Sequence, residues 1–108
     1  MKFPNPYTST QFKISSLERW ILVHSILYYR FSESVVPDYI YDGNAKQLVK
    51  LIKKYPKDFK KSTYYKAFKG YDGNTGFDLY YKLSAEDQEH LVSIAGAVLQ
   101  RYNKTHST

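Results

Sequence analysis

The 108-residue chain contains no cysteine, which excludes a disulfide scaffold, a thiolate metal site and a cysteine nucleophile together. No stretch approaches the ~18 uninterrupted apolar residues that a membrane span requires. The opening Met1-Lys2-Phe3-Pro4-Asn5-Pro6-Tyr7 offers no apolar core for a signal peptide, so a soluble protein of the cytoplasm is expected. Internal repeats, low-complexity tracts, a G-x-G-x-x-G run, a phosphate-binding loop and a serine in a nucleophile-elbow context are all missing. The three histidines, His24, His90 and His106, do not form a metal set, since no two of them stand at helical i+4 spacing, so no metal is expected. Acidic residues are few, 10 against 16 Lys and Arg.

Tyrosine and lysine are abundant. There are 12 tyrosines, and the net charge is +6. The size suits a single domain spanning 1–108. The charge is local. Residues 46–69 hold nine lysines and one acid, a local charge of +8, while the remainder, with seven basic residues against nine acidic ones, sums to −2.

Residues 1–14, with two prolines and a Ser/Thr cluster, read as an irregular N-terminal arm. Ser15 and Glu18 have the spacing of a capping box, so a helix is expected over about 15–31. Its apolar face would carry Leu17, Trp20, Ile21, His24, Leu27, Tyr28 and Phe31. Pro37 breaks the helical pattern, and Asp38 stands where a new N-cap belongs. Tyr41, Ala45, Leu48, Leu51, Ile52 and Tyr55 then predict a second helix over about 38–55, closed by Pro56 and packed on the first as an antiparallel hairpin. The alternation of Phe77, Leu79, Tyr81 and Leu83 after the turn-forming 72–76 predicts a short β-hairpin between 63 and 83. Ser84 opens a last helix of about 84–103 packed across the first two, followed by a frayed polar tail. The fold expected is therefore mainly α: a helical hairpin at 15–56, then a basic connector and C-terminal helix over 57–108. Ala95-Gly96-Ala97 would admit a close neighbouring backbone and offers a surface for a homodimer.

Two surfaces carry chemistry. Tyr28, Tyr29, Asp38, Tyr41 and Asp42 meet where the two helices of a hairpin join. Aromatic faces beside two carboxylates suit a flat cationic ring carrying hydroxyls. The same residues could equally pack the corner, with Asp38 and Asp42 capping a helix and complementing its dipole. The second surface is the lysine stretch, in which Lys50, Lys53, Lys54, Lys57, Lys60 and Lys61 precede Tyr64, Tyr65, Phe68 and Tyr71. Cations beside aromatic rings fit DNA, RNA or an acidic protein. They fit a solvated helix face as well.

The run His24-Ser25-Ile26-Leu27-Tyr28-Tyr29-Arg30-Phe31, with Val36-Pro37-Asp38-Tyr39-Ile40-Tyr41-Asp42 and Tyr55-Pro56, resembles the small N-terminal helical domain of bacterial NAD-dependent DNA ligases. The chain also looks like the small stand-alone relatives of that domain found in phages of Gram-positive bacteria, a resemblance that would make the acidic partner of the lysine surface a host protein, including one acting in host defence. The resemblance covers about thirty residues and implies a site for NAD or nicotinamide mononucleotide. On it, Tyr28 and Tyr41 would stack on nicotinamide, Asp38 and Asp42 would meet ribose or carboxamide, and Tyr29 would lie on the phosphate side. The ligase's adenylated-lysine motif K-x-D-G is missing, since Lys69-Gly70-Tyr71-Asp72-Gly73 has one residue too many. A non-catalytic binding module is therefore expected. Gly43 and Asn44 also depart from the family pattern, at the start of the second helix.

Overall fold

The computed structural model describes residues 9–74 and 76–106. Five α-helices follow one another: α1 Thr10–Arg30, α2 Asp38–Lys54, α3 Pro56–Lys60, α4 Tyr65–Phe68 and α5 Ala85–His106, with a 3-10 turn at Tyr80–Lys82 before the last. The fold is mainly α, and no strand occurs among the described residues.

α1 is the axis of the molecule and packs against α2, α3, α5 and the 3-10 turn. Residues 21–23 and 25–27 are all buried along it. Three consecutive helical positions sweep about 200° of the circumference, so neighbours enclose this part of α1 on most sides. The single apolar stripe expected from the sequence is therefore replaced by a broader one. Tyr28 and Phe31, assigned to the inner face, are exposed, while Ile14, Leu22 and Ile26 enter the core. α2 is different: only Ala45 and Leu48 are fully buried, and its outer side carries the lysines. α5 contributes Leu91 and Ala95 to the same core.

α1 begins five residues earlier than the capping-box reading puts it. Ser9 is its N-cap, accepting the Phe12 N–H at 3.1 Å, so residues 10–14 of the expected arm are helical; residues 1–8 lie outside the described residues. Ser15 and Glu18 are not a cap. With Gln11 they form a polar stripe at i, i+4 and i+7, and each holds the segment 61–64. Gln11 Nε2 donates to Lys61 O at 3.1 Å, Ser15 Oγ accepts from Thr63 N–H at 3.0 Å, and Glu18 Oε1 accepts from Tyr64 N–H at 3.1 Å.

Glu18 is 0% exposed. Ser62 Oγ lies 2.8 Å from Glu18 Oε2 and 2.7 Å from Phe59 O. One hydroxyl proton cannot serve two acceptors fully. A proton on Glu18 completes the chain: the carboxyl donates to Ser62, and Ser62 donates to Phe59 O. Independently, burial disfavours the charged carboxylate and raises the Glu18 pKa to about 7, against the opposing effect of the hydrogen bonds that Ser62 and the Tyr64 N–H donate to the ionised form.

The remaining corrections concern boundaries. Asp38 is the first residue of α2 rather than its cap; Pro37 holds the N-cap position and supplies no side-chain bond. Gly43 and Asn44 do not interrupt α2. The expected β-hairpin is instead α4, a turn at 77–79 and the 3-10 turn, with Leu79 buried while Phe77 and Tyr81 face solvent. Two-residue alternation failed because a 3-10 turn also buries one residue in a short run. Ser84 Oγ caps α5 by accepting the Asp87 N–H at 3.1 Å, and the helix runs past the expected end at 103 to His106. Ala95 is buried, but a methyl group on Gly96 would meet nothing within 4 Å, so no backbone approaches closely there.

α1 ends where Ser32 takes a left-handed φ of 53°, which lets the Glu33 N–H fold back onto Leu27 O at 2.9 Å. Glycine adopts that conformation without the steric cost of a Cβ. Ser32→Gly is expected to raise stability by up to about 1 kcal/mol in urea unfolding.

Candidate functional site

The C-terminal half of α1, the connection after it and the first turns of α2 enclose a cavity of about 190 Å³, closed on one side by the segment carrying Asn74 and Gly76. All five residues singled out at the hairpin corner, Tyr28, Tyr29, Asp38, Tyr41 and Asp42, line it. Helical geometry is the cause. Tyr28 and Tyr29 end α1, while Asp38, Tyr41 and Asp42 share one face of α2 at i, i+3 and i+4.

The floor is the hydrogen bond between Ser25 Oγ and Tyr41 Oη, 2.8 Å long. Gly76 lies directly over it: a Cβ there would overlap both hydroxyls. Beside it, the Tyr71 hydroxyl is buried without a hydrogen-bond partner among the described residues. Burial, then the neighbouring Tyr41 phenol, pushes the Tyr71 hydroxyl far up in pKa. Tyr41 is also raised, chiefly by burial, with the Ser25 hydrogen bond opposing. Both phenols therefore stay neutral at physiological pH.

His24 also lines the cavity, its ring tilted against Trp20 with centroids 4.1 Å apart. Burial lowers its pKa and favours the neutral imidazole. Trp20 in turn lies 6.0 Å from the Tyr41 ring. The single tryptophan of the chain thus contacts two residues of the wall.

Three carboxylates border the cavity, Glu33, Asp38 and Asp42, and no lysine or arginine does. Among the described residues none of the three side chains has an ion-pair partner, and no cluster of His, Asp and Glu could hold a metal ion. Asp38 makes no capping bond but sits in the first turn of α2, where it complements the helix dipole, and Asp42 lies beyond that turn. Such a wall attracts a cation or sugar hydroxyls and repels a buried phosphate.

The lysines form a separate surface. Lys50, Lys53, Lys54, Lys57, Lys60 and Lys61 are all exposed, and none borders the cavity. Asp42 and Lys54 are twelve residues apart on α2, roughly 18 Å at 1.5 Å per residue. Acid at the start and base at the end also complement the helix dipole. Lys60 and Lys66 border a shallow groove with Tyr64, Tyr65 and Lys82.

Reasoning from the sequence missed His24, Ser25, Glu33, Asn74 and Gly76 as wall residues. The first two were within reach, because they stand one helical turn before Tyr28 and Tyr29. Asn74 and Gly76 come from a distant segment. Asp72 shapes it by accepting the Asn74 N–H at 3.0 Å, and Gly73, at φ +87°, lets it pass close to Val49. No protein-family model, curated protein or solved structure matches the chain. No described helix is long and apolar enough to cross a membrane.

Proposed function

We propose that the protein is a non-catalytic binding module whose cavity takes the nicotinamide–ribose portion of nicotinamide mononucleotide or NAD. The observation that carries this reading is the meeting of Tyr28, Tyr29, Asp38, Tyr41 and Asp42 in one wall with no cation among them. A pyridinium ring is flat and positive, so tyrosine faces stack on it and carboxylates balance its charge. Ribose hydroxyls donate to the remaining carboxylate oxygens. The phosphate, finding three carboxylates and no cation, must point out of this cavity. The volume supports the same division, since about 190 Å³ is small beside the ~300–1,000 Å³ of sites that enclose a whole drug-sized ligand.

Ligand binding to the folded state alone raises stability by RT ln(1 + [L]/Kd). Nicotinamide mononucleotide is expected to raise the unfolding temperature by several degrees, and adenosine monophosphate is not. Asp42→Asn changes an exposed side chain that has no ion-pair partner among the described residues, so it should keep the fold and lose the shift. Equal shifts for both nucleotides, or none for either, would refute the reading.

A further inference from the structure

A second cavity of about 250 Å³ adjoins the first, with Ser25, Tyr29 and Gly76 lining both. Its remaining wall is Ile26, Arg30, Phe77, Tyr80 and Tyr81. The two cavities are opposite in charge. The first has three carboxylates and no cation; the second has Arg30 and no carboxylate.

The Arg30 guanidinium lies 4.2 Å over the Tyr80 ring. Stacking of this kind fixes the plane of the guanidinium and leaves its edge N–H groups free to donate to a phosphate. The aromatic residues continue outward from there. Tyr29 and Phe77 meet edge to face at 5.3 Å, Phe77 and Tyr81 lie 6.3 Å apart, and Tyr80 and Tyr81 meet at 5.4 Å. Phe77 is 57% and Tyr81 64% exposed, so two large rings present apolar faces to solvent at the rim. Lys82, the nearest other cation in sequence, is paired with Asp78 at 3.4 Å and leaves Arg30 as the cation of this cavity.

We propose that the second cavity is a phosphate and purine subsite for the same ligand, so that the chain binds a whole nicotinamide dinucleotide rather than its mononucleotide half. This rests on the reading of the first cavity as the nicotinamide–ribose site. Charge carries the step: a ligand whose pyridinium end is held among carboxylates must put its phosphates elsewhere, and the shared wall leads directly to Arg30. The exposed rings beyond then supply stacking faces for a base, which is sequence-tolerant and needs no hydrogen-bond pattern. Each cavity, at about 190 and 250 Å³, is below the ~300–1,000 Å³ of sites that enclose a drug-sized ligand, so a dinucleotide would extend over both.

Calorimetry with nicotinamide riboside, nicotinamide mononucleotide and NAD separates the parts. Affinity is expected to rise roughly tenfold on adding the phosphate and by a similar factor on adding the adenosine half. Arg30→Ala should remove the phosphate step, and Tyr81→Ala the adenosine step, with riboside binding unchanged in both. Thermal unfolding of the free variants checks that these exposed substitutions leave the fold intact. If NAD and the mononucleotide bind equally, or if the variants lose riboside binding in parallel, the second subsite is wrong while the first cavity stands. If none of the three binds, both fail. A mass that doubles with concentration and reverts in Tyr81→Ala would assign the exposed rings to a second copy of the chain and overturn the proposal.

Discussion

Glu18→Ala is expected to cost about 2–4 kcal/mol of unfolding free energy, and Glu18→Gln far less. Alanine leaves the buried Tyr64 N–H without its partner and strips the Ser62 hydroxyl of one of its two, Phe59 O remaining, and an unsatisfied buried group costs ~1–3 kcal/mol. Glutamine keeps a carbonyl for Tyr64 and gains an N–H₂ that donates to Ser62, as the protonated carboxyl does. The pH dependence follows from the raised pKa, from 4.5 to about 7. An acid whose folded pKa lies above its unfolded one contributes stability that is complete below 4.5 and is lost as pH rises through about 7. Over that window the wild type should lose up to ~3 kcal/mol relative to Glu18→Gln. His24 acts in the opposite sense, because burial lowers its pKa and its contribution fades as pH falls. It is common to both proteins and cancels in the comparison. Urea unfolding at a series of pH values measures the difference, and parallel stability curves would show that Glu18 is ionised in the fold.

Gly76→Ala has the next largest expected effect. Its new methyl group would occupy the space of the Ser25 and Tyr41 hydroxyls, and neither can retreat without breaking the hydrogen bond between them. Overpacking of this kind costs ~1–3 kcal/mol. Because Gly76 lines both cavities, the displaced segment should also abolish nucleotide binding in calorimetry. Removing both hydroxyls in that background, with Ser25→Ala and Tyr41→Phe, should restore part of the stability. A Gly76→Ala protein with wild-type stability and binding would show that the segment does not close over the cavity.

Much of the fold was legible because strong local signals agreed with tertiary packing. Pro37 and Pro56 punctuate the chain where helices change, and Ala45 and Leu48 face inward as their spacing requires. Two kinds of signal misled. Glu18 stands three residues after Ser15 and so mimics a cap, yet its partners, Ser62 and Tyr64, are more than forty residues away. A helix enclosed on most sides has no single apolar face, so the periodicity of α1 underestimated its core. At the cavity, the lining residues contributed by the helical hairpin were legible from their spacing. Gly76, Asn74 and the rings around Arg30 were not, because a distant segment folds over the hairpin to bring them there.

The most direct measurement uses Trp20, the sole tryptophan, which touches His24 and lies near Tyr41 behind the cavity wall. Titration with nicotinamide mononucleotide should change its emission along a saturating curve in the wild type, and Asp42→Asn should weaken or eliminate that curve. Quenching that grows linearly with ligand and is identical in both proteins would contradict a nicotinamide site in this cavity.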